Sequence, residues 1–267
     1  HVVTKMSENL DQTGEISSAS VKRVYSALRT FKKLIIKNNV DEVFVIGTAA
    51  LRDSKNADEL IENIRKKFDF EIDVLSGHDE GIITSLGVLH FMENIENFLI
   101  VDIGGRSTEF IYEFENKIIS QSLNLGVVTL SEKYFSKLPS EQKLLDSAKF
   151  DIETELSLLN INDKKNVIGV SGTALSLASI FLDQQFFDEE KLHGVQIDLQ
   201  NVGNINSRLL NLNEAEIITR FKGVDPKRAA TITSGIFLLE IILNHYSNSP
   251  IIISKYDILE GLILKKY

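Results

Sequence analysis

The stretch that decides the fold is residues 98–111, FLIVDIGGRSTEFI. An apolar, β-branched run ends at Asp102, two glycines follow, and a Ser-Thr-Glu triplet leads into a second apolar run. This order predicts a strand, a tight turn and a second strand. Glycines let backbone N–H groups approach a phosphate closely, and the carboxylates of Asp102 and Glu109 can hold a hydrated cation beside it. The turn is therefore a candidate phosphate and metal site, although short acidic-glycine turns also join strands in proteins that bind nothing.

Composition restricts the chemistry that the chain can perform. The 267 residues include no Cys, which excludes disulfides and thiolate metal ligands, and the five His residues show no ligand spacing such as H-x-x-x-H. Any bound metal is therefore expected to have oxygen ligands. The net charge of −9 argues against a general nucleic-acid or membrane-surface role, and no continuous apolar run approaches about 18 residues. We expect a cytoplasmic protein that binds neither nucleic acids nor membranes.

Hydrophobic periodicity before the Asp102 stretch predicts alternating helices and strands. Apolar residues between positions 21 and 35 recur at three- and four-residue spacing, which predicts an amphipathic helix capped by Ser17 or Ser18. The further predicted elements are strands at 43–46 and 71–75, a helix at 57–68, and a turn at 76–80 that leads into a helix opened by Glu80 and reaching about residue 92. Strands that alternate with helices in this way are typical of a parallel sheet.

After the Asp102 stretch, the sequence predicts an antiparallel meander followed by a mainly helical region. The predicted strands are 117–123, 166–170 and 251–253, and the predicted helices are 126–135, 139–159, 226–246 and 258–264. Residues 171–177 follow a strand directly and read as a turn at a helix N-terminus. The chain is thus α/β, and its 43% apolar residues suffice for two lobes with a ligand cleft between them.

Several segments, in order along nearly the whole chain, resemble the Ppx/GppA family of exopolyphosphatases and guanosine pentaphosphate phosphohydrolases. The clearest matches are residues 47–56 (GTAALRDSKN), 76–81 (SGHDEG), 102–109 (DIGGRSTE), 125–130 (LGVVTL) and 172–174 (GTA). Looser matches are residues 193–194, 226–235 and 254–261. One such motif is weak evidence, but the ordered set identifies the chain as resembling a short member of this family.

The resemblance implies two ribonuclease H-like lobes of the actin and sugar-kinase superfold, with a cleft between them and extra helices in the second lobe. Residues 1–77 and 256–267 would form the N-terminal lobe, incomplete at its start, and residues 78–255 the C-terminal lobe. Similar proteins often dimerise, so a homodimer is expected.

The resemblance also implies Mg²⁺-assisted, or Mn²⁺-assisted, hydrolysis of a terminal phosphoanhydride. Glu80 falls where the family places the carboxylate that activates the attacking water, and Asp102 and Glu109 fall on its essential acidic residues, which we assign to the metal. Arg52 falls on an arginine that meets the anionic substrate. The remaining candidate substrate-binding residues are Gly104, Gly105, Arg106, Ser107, Thr108, Gly172, Thr173 and Arg228.

Taken without the resemblance, these residues have plainer explanations. Glu80 and Glu109 could be ordinary solvated carboxylates, and Arg52 could pair with Asp53 or Glu59 on a surface. Residues 172–173 could be only a strand-to-helix turn. The pair at 78–79, His-Asp, resembles the metal dyad of HD phosphohydrolases, but the further ligands of that dyad are not evident, and we interpret the pair as coincidental.

The family pattern is broken at three places. Arg106 stands where the family has a third glycine, which would be unfavourable if that position needs a positive φ and favourable if the guanidinium binds a phosphate bidentately. The family's opening D-x-G-S-N turn has no counterpart, and residues 1–8 alternate like a strand within a sheet, so we expect an N-terminal piece to be absent from this numbering. Residues 257–261, DILEG, replace G-L-R-E-G.

The sequence therefore favours a two-lobed phosphohydrolase that releases terminal phosphate from inorganic polyphosphate or from guanosine pentaphosphate, with a tilt toward the nucleotide or short chains. The expected binding partners are polyphosphate or guanosine penta- or tetraphosphate. Two alternatives stay open. One is a sensor of polyphosphate or guanosine polyphosphates that kept the fold and lost turnover, and the other is an actin-superfold kinase. The kinase is disfavoured because Glu80 matches the phosphatase motif and no acceptor-sugar signature is evident.

Overall fold

The computed structural model describes residues 2–92, 95–161 and 163–266. The chain divides into two compact units, His1–Gly77 and His78–Tyr267. Each unit has a hydrophobic core of its own, one around the helices of the first unit and two on opposite faces of the sheet of the second. The α/β class predicted from the sequence is confirmed.

Helices alternate with short strands in the first unit and surround a larger sheet in the second. The helices are α1 (Leu10–Thr13), α2 (Ser18–Lys37), α3 (Ala49–Arg52), α4 (Ala57–Phe68), α5 (Gly77–His90), α6 (Val127–Tyr134), α7 (Gln142–Leu156), α8 (Ser171–Phe181), α9 (Leu199–Leu210), α10 (Glu214–Arg220), α11 (Ala229–Tyr246) and α12 (Ile258–Lys266). The strands are β1 (Val45–Gly47), β2 (Ile72–Val74), β3 (Phe98–Ile103), β4 (Thr108–Phe114), β5 (Lys117–Leu123), β6 (Asn166–Val170), β7 (Gln196–Ile197) and β8 (Ile251–Ile253).

The first unit forms its helices where the sequence places caps and apolar stripes. The Ser17 side chain accepts the backbone N–H of Ser20 at 3.1 Å, which satisfies one of the unpaired donors at the start of α2. Helix α4 buries Leu60, Ile64 and Phe68, which lie four residues apart on one face. Strands β1 and β2 pair in parallel, as the alternation of strand and helix predicts.

The strand expected at the start of the chain is not formed in residues 2–8, so that prediction is wrong. Lys5 has a φ of 51°, which is left-handed and breaks an extended run. The backbone of this segment is instead hydrogen-bonded by side chains of α2. The hydroxyl of Ser20 donates to the carbonyl oxygen of Lys5 at 2.7 Å, and the Nε of Arg23 donates to that of Thr4 at 2.7 Å.

The second unit is built on a six-stranded sheet with the order β5-β4-β3-β6-β8-β7. Strands β3, β4 and β5 form the predicted antiparallel meander, whereas β6 and β8 continue the sheet in parallel with β3. Ligands of such open sheets bind at the carboxyl ends of the parallel strands. The Asp102 turn lies at that edge, because it follows β3 directly.

The central strand β3 is buried on both faces, which explains its nearly continuous apolar sequence. Leu99, Val101 and Ile103 pack into the large core formed with the later helices. Ile100 faces the other side and packs with Val88 of α5. Asp102 shares the face of Ile100, since alternate residues of a strand point to the same side.

Helix α11 is a core helix of the second unit. The 21 residues Pro226–Tyr246 are long and apolar enough to cross a membrane, but most of them are buried within the protein. Its packing explains the glycine at position 235. A Cβ atom at Gly235 would lie 3.0 Å from the side chains of both Thr173 and Val127, so α11 packs closely behind the starts of α8 and α6.

The segment 256–267, expected in the first lobe, belongs to the second compact unit. Helix α12 crosses α5 at a pair of glycines. A Cβ atom at Gly261 would overlap the carbonyl oxygen of Ile83, and one at Gly87 would overlap that of Asp257. The two backbones therefore touch directly, which ties the end of the chain to α5.

This crossing makes Gly261 a sensitive position. We expect Gly261→Ala to destabilise the protein by about 1–3 kcal/mol, because the added methyl group meets backbone atoms that cannot move aside. In thermal unfolding followed by circular dichroism, that loss lowers the Tm by roughly 3–10 °C. Leu259→Ala is the matched control, since this side chain on the same helix is 53% exposed. An unchanged Tm for Gly261→Ala would contradict the crossing.

Candidate phosphate and metal site

Asp102 and Glu109 form a buried carboxylate pair at the end of the meander. They are direct cross-strand partners on β3 and β4, and their exposed fractions are only 8% and 2%. Side chains of cross-strand partners lie next to each other on one face of the sheet. The hydroxyl of Ser122, the partner of Glu109 on β5, donates to Glu109 Oε1 at 2.8 Å. Glu109 is therefore not an ordinary solvated carboxylate.

Burial and like charge act together on Asp102. Burial, followed by the charge of Glu109, raises the pKa of Asp102 to about 7, and the charge of Asp257 adds to the rise. A hydrogen bond from the Ser171 side chain opposes it. Two adjacent carboxylates in a buried place favour either a shared proton or a bound cation.

The raised pKa makes Asp102 a source of pH-dependent instability. The pKa of Asp102 in the folded protein lies above the unfolded value of about 3.9, so the folded state binds the proton more tightly than the unfolded state does. The resulting contribution to the free energy of unfolding is complete below pH ~4 and is lost as the pH rises through about 7. We expect Asp102→Asn, without metal, to remove this dependence and to raise the Tm at pH 8 by several °C. The pH dependence of Tm is measured by thermal unfolding from pH 4.5 to 8.5 in the presence of a chelator. The control is Asp183→Asn, at an exposed side chain. Equal pH dependence of Tm in wild type and Asp102→Asn would refute the prediction.

The turn after β3 is held from behind by α6. The carbonyl oxygens of Gly104 and Gly105 accept the backbone N–H groups of Val127 at 3.0 Å and Val128 at 2.8 Å. A Cβ atom at Gly126 would overlap the backbone atoms of Gly105 and Arg106. Only a glycine at this position lets α6 approach the turn so closely. Among the residues described here, the N–H of Gly105 has no hydrogen-bond acceptor. The turn thus directs its carbonyl groups toward α6 and leaves this donor available to a ligand.

Arg106 is accommodated without backbone strain. Neither it nor the two preceding glycines has a positive φ, so the concern that this position demands glycine does not hold. Ser107 and Thr108 are buried, and the carbonyl oxygen of Ser107 accepts the N–H of Gly104 at 2.9 Å. The hydroxyl of Thr108 donates to the carbonyl oxygen of Leu125. Thr108 therefore supports the turn, which accounts for its side chain without a ligand.

Helix α8 begins beside Asp102. Strand β6 ends at Val170, which is in register with Asp102, and the helix starts at the next residue without a side-chain cap. Gly172 and Thr173 are in its first turn, where backbone N–H groups lack helical acceptors. Such a helix terminus attracts anions.

The guanidinium group of Arg228 lies against this helix start. A Cβ atom at Gly172 would overlap Arg228 Nη1 and Cζ, so the missing side chain makes room for the cation. Burial lowers the pKa of Arg228, the opposing charge of Asp225 being the smaller effect. Within the described ranges the guanidinium makes no hydrogen bond or ion pair. Its positive charge and the helix terminus together can bind a phosphate group.

Glu80 is placed over the same face of the sheet by α5. The next residue, Gly81, packs so closely on β5 that a Cβ atom would overlap the Ser120 hydroxyl, and His78 Nδ1 lies 3.4 Å from the carbonyl oxygen of Ser120. Ser120 is two residues from Ser122 and therefore shares its face of the sheet. Glu80 is 9% exposed, whereas its neighbour Asp79 is exposed. The helix thus buries Glu80 near the end of the face that carries Glu109.

Arg52 lies in the other compact unit. Its Nη1 donates to the carbonyl oxygen of Leu75 at 2.8 Å, and its Nε is 3.7 Å from Asp53 Oδ1. The plainer explanation, pairing with Asp53, is therefore realised. The other predicted site residues all belong to the second unit.

The structure adds residues that the sequence analysis missed. Asp257 acts on Asp102 through its charge, and burial raises its own pKa. The sequence offers one signal for this residue, because Asp257 stands where the family has a glycine. The Ser122 hydroxyl holds Glu109, and it has no sequence signal, because the contact depends on strand register.

The donor set at this edge suits a hard divalent cation. Within residues 2–92, 95–161 and 163–266, no group of three or more His, Asp or Glu side chains is arranged as a metal site. The pair formed by Asp102 and Glu109 nevertheless fits Mg²⁺ or Mn²⁺, because Mg²⁺ is commonly held by one or two carboxylates together with water and substrate phosphates. The same observation leaves the His-Asp pair at 78–79 without the further ligands of a metal dyad.

Fold and site together define an actin-like α/β protein with a carboxylate pair beside an anion-attracting helix terminus. Residues 1–267 match the model of the Ppx/GppA phosphatase family, and the chain belongs to that family.

Individual relatives agree with this assignment. The chain is 32% identical over 278 residues to a bifunctional 3-dehydroquinate synthase/phosphatase of Fusobacterium nucleatum, covering 98% of this chain and 41% of the relative. It is 28% identical over 264 residues to a guanosine-5'-triphosphate,3'-diphosphate pyrophosphatase of Pseudoalteromonas atlantica, covering 97% and 51%. The crystal structure of the Aquifex aeolicus Ppx/GppA family member matches with a TM-score of 0.82 and 25% identity, covering 98% and 86%. The chain thus spans about half the length of the Fusobacterium and Pseudoalteromonas relatives.

Proposed function

We propose that the chain is a phosphohydrolase that releases terminal orthophosphate from inorganic polyphosphate, guanosine pentaphosphate or both. One observation carries the proposal. The buried carboxylate pair of Asp102 and Glu109 lies at the same sheet edge as the uncapped start of α8 and the Arg228 guanidinium. A bound phosphate needs positive groups for its own oxygens, and its counter-cation needs negative ligands, so both sets of groups must lie close together. The activity named for the Pseudoalteromonas relative supports the proposal.

Hydrolysis requires an oriented water and little covalent chemistry. In the proposed reaction the Glu80 carboxylate accepts a proton from water while the water oxygen bonds to the terminal phosphorus. The bridging P–O bond breaks, and its electron pair leaves with the shortened chain or nucleotide. A positioned general base contributes roughly 10²- to 10⁴-fold in rate. Burial of Glu80 at the sheet face suits this role better than the exposed position of Asp79.

The second unit also offers donors for the charge on the transferred phosphoryl group. We assign this role to the N–H groups of Gly105, Gly172 and Thr173 and to the guanidinium of Arg228. Arg106, half-buried beside the turn, is assigned to a further substrate phosphate, which its planar fork can bind bidentately. Ser107 and Gly104 close the turn that presents these groups. Arg52 remains a proposed substrate-binding residue.

Asp102 and Glu109 would hold Mg²⁺ or Mn²⁺. When bound, the cation would neutralise charge on the phosphate oxygens. The two carboxylates would then both stay ionised, since the cation offsets the burial and repulsion that raise the pKa of Asp102.

Phosphate release tests the proposed function. Purified protein is incubated with Mg²⁺ and either long-chain polyphosphate, short-chain polyphosphate or guanosine pentaphosphate, and orthophosphate is measured over time. We expect release from guanosine pentaphosphate or short chains. Processive hydrolysis of long chains with the nucleotide untouched would overturn the substrate preference, and no release from any substrate would overturn the proposed activity.

One observation favours a second candidate, a sensor that binds these polyphosphates without turnover. Arg106 replaces the third glycine of the family turn and adds a cation that could strengthen ground-state binding. Tight binding of guanosine pentaphosphate by calorimetry, with no phosphate released, would establish the sensor.

A further inference from the structure

Two buried serines join helices α6 and α11 behind the candidate site. Ser131 of α6 is 8% exposed and Ser234 of α11 is fully buried, and their hydroxyl oxygens lie 2.8 Å apart, so one hydroxyl donates to the other. The Ser234 hydroxyl also lies 2.9 Å from the carbonyl oxygen of Val127 in α6 and 2.9 Å from that of Thr231 in its own helix. The Ser131 hydroxyl lies 3.1 Å from the carbonyl oxygen of Ala230 in α11. Whichever serine donates to the other, the remaining hydroxyl proton can reach a carbonyl group of the opposite helix.

Val127 connects this serine pair to the turn after β3. Its N–H donates to the carbonyl oxygen of Gly104 at 3.0 Å, while its own carbonyl oxygen faces the Ser234 hydroxyl. The next residue, Val128, donates to the carbonyl oxygen of Gly105 at 2.8 Å. The position of the turn therefore depends on the start of α6, and the start of α6 is tied to α11 by the serine pair.

Helix α11 also reaches the other groups that we assign to the phosphate. A Cβ atom at Gly235, next to Ser234, would lie 3.0 Å from the side chain of Thr173 in the first turn of α8. Arg228 directly precedes α11, and its guanidinium lies against Gly172. The turn, the start of α8 and Arg228 thus all meet at α11.

We propose that Ser131 and Ser234 are positioning residues, whose hydrogen bonds between α6 and α11 hold the turn after β3 in place relative to Arg228 and the start of α8. The effect on turnover rests on the proposed function, whereas the hold on the start of α6 is a property of the protein alone. Burying a hydroxyl group is unfavourable unless it is hydrogen-bonded, and alanine would avoid that requirement. The specific contact between the helices therefore explains the two serines better than packing does.

Ser234→Ala removes the hydroxyl that reaches Val127. A misplacement of about 1 Å caused by a substitution remote from the reacting atoms can cost about 10²-fold in rate, and we expect a smaller loss in kcat, roughly 10-fold, because the other contacts of α6 remain. KM should change little, since slightly displaced donors still attract the phosphate of the bound substrate. Ser131→Ala should act in the same direction. The double variant should lose less than the product of the two single losses, because both serines belong to one contact.

The buried Ser179 supplies a matched control. It is 1% exposed, and its hydroxyl donates to the carbonyl oxygen of Gly223 at 3.0 Å, at the end of α8 opposite to Gly172. Ser179→Ala should lower the Tm, as Ser234→Ala does, but leave kcat unchanged. Wild-type kcat in Ser234→Ala would overturn the positioning role, as would an equal loss of kcat in Ser179→Ala.

Amide hydrogen exchange followed by NMR tests the inference without turnover. The N–H groups of Val127 and Val128 should exchange about 10-fold faster in Ser234→Ala than in Ser179→Ala, which corresponds to the loss of about one hydrogen bond at the start of α6. Equal exchange of these groups in the two variants would overturn the inference even if no phosphohydrolase activity is found. Faster exchange in Ser234→Ala, together with an inactive wild type, would uphold the contact between the helices and reject the proposed function alone.

Discussion

Replacing Glu80 by glutamine is expected to lower kcat for phosphate release by about 10²- to 10⁴-fold. Glutamine keeps the size of the side chain and its place on α5 but cannot accept a proton from water. KM should change little, because the donors that we propose to bind phosphate belong to other elements. Steady-state phosphate release, measured against substrate concentration at saturating Mg²⁺, separates the two constants.

The neighbouring residue supplies the control for this substitution. Asp79→Asn makes the same chemical change one position earlier on α5, at an exposed side chain. It should retain nearly full kcat. A Glu80→Gln variant as active as Asp79→Asn would show that the buried carboxylate is not the base.

The second large effect is expected from Glu109→Gln, which we predict to lower kcat/KM by more than about 100-fold. Mutation of a group that only orients a metal ligand typically lowers metal affinity or activity by about 10- to 100-fold, and Glu109 would be a ligand itself. The variant also loses the repulsion that helps to raise the pKa of Asp102, so the metal-free protein should become more stable near neutral pH. Its activity should require a much higher Mg²⁺ concentration.

Mg²⁺-dependent thermal shift separates this prediction from a folding defect. Wild type should gain several °C in Tm on addition of Mg²⁺, and Glu109→Gln should gain less at the same concentration. Ser122→Ala removes only the hydroxyl that donates to Glu109, and its rise in Tm on addition of Mg²⁺ should lie between those of wild type and Glu109→Gln. Equal Mg²⁺ shifts and equal Mg²⁺ requirements in wild type and Glu109→Gln would contradict the metal assignment.

Much of the fold follows from local sequence signals. Helix α4 occupies 57–68 and β5 occupies 117–123, both as predicted. The Asp102 turn was predictable because an apolar run, two glycines and a second apolar run constrain one another within 14 residues. The order of the meander follows from its short connections.

Other features depend on distant contacts and were beyond local signals. Residues 2–8 alternate like a strand, but hydrogen bonds from α2 take the place of a partner strand. The end of the chain joins the second unit through the glycine crossing of α5 and α12, which no periodicity predicts. The hydrogen bond of Ser122 to Glu109 depends on the register of β4 with β5. Even the burial of Glu80 follows from the close packing of Gly81 on β5.

Terminal phosphohydrolysis can be tested by hydrolysing guanosine pentaphosphate or short-chain polyphosphate in H₂¹⁸O and analysing the products by mass spectrometry. Attack of water on the terminal phosphorus places one ¹⁸O atom in the released orthophosphate and none in the shortened product. We predict this distribution for wild type with Mg²⁺, and almost no labelled phosphate for Glu80→Gln over the same time. Label in the shortened product, or no Mg²⁺-dependent release of phosphate by wild type, would contradict a terminal phosphohydrolase at the Asp102 turn.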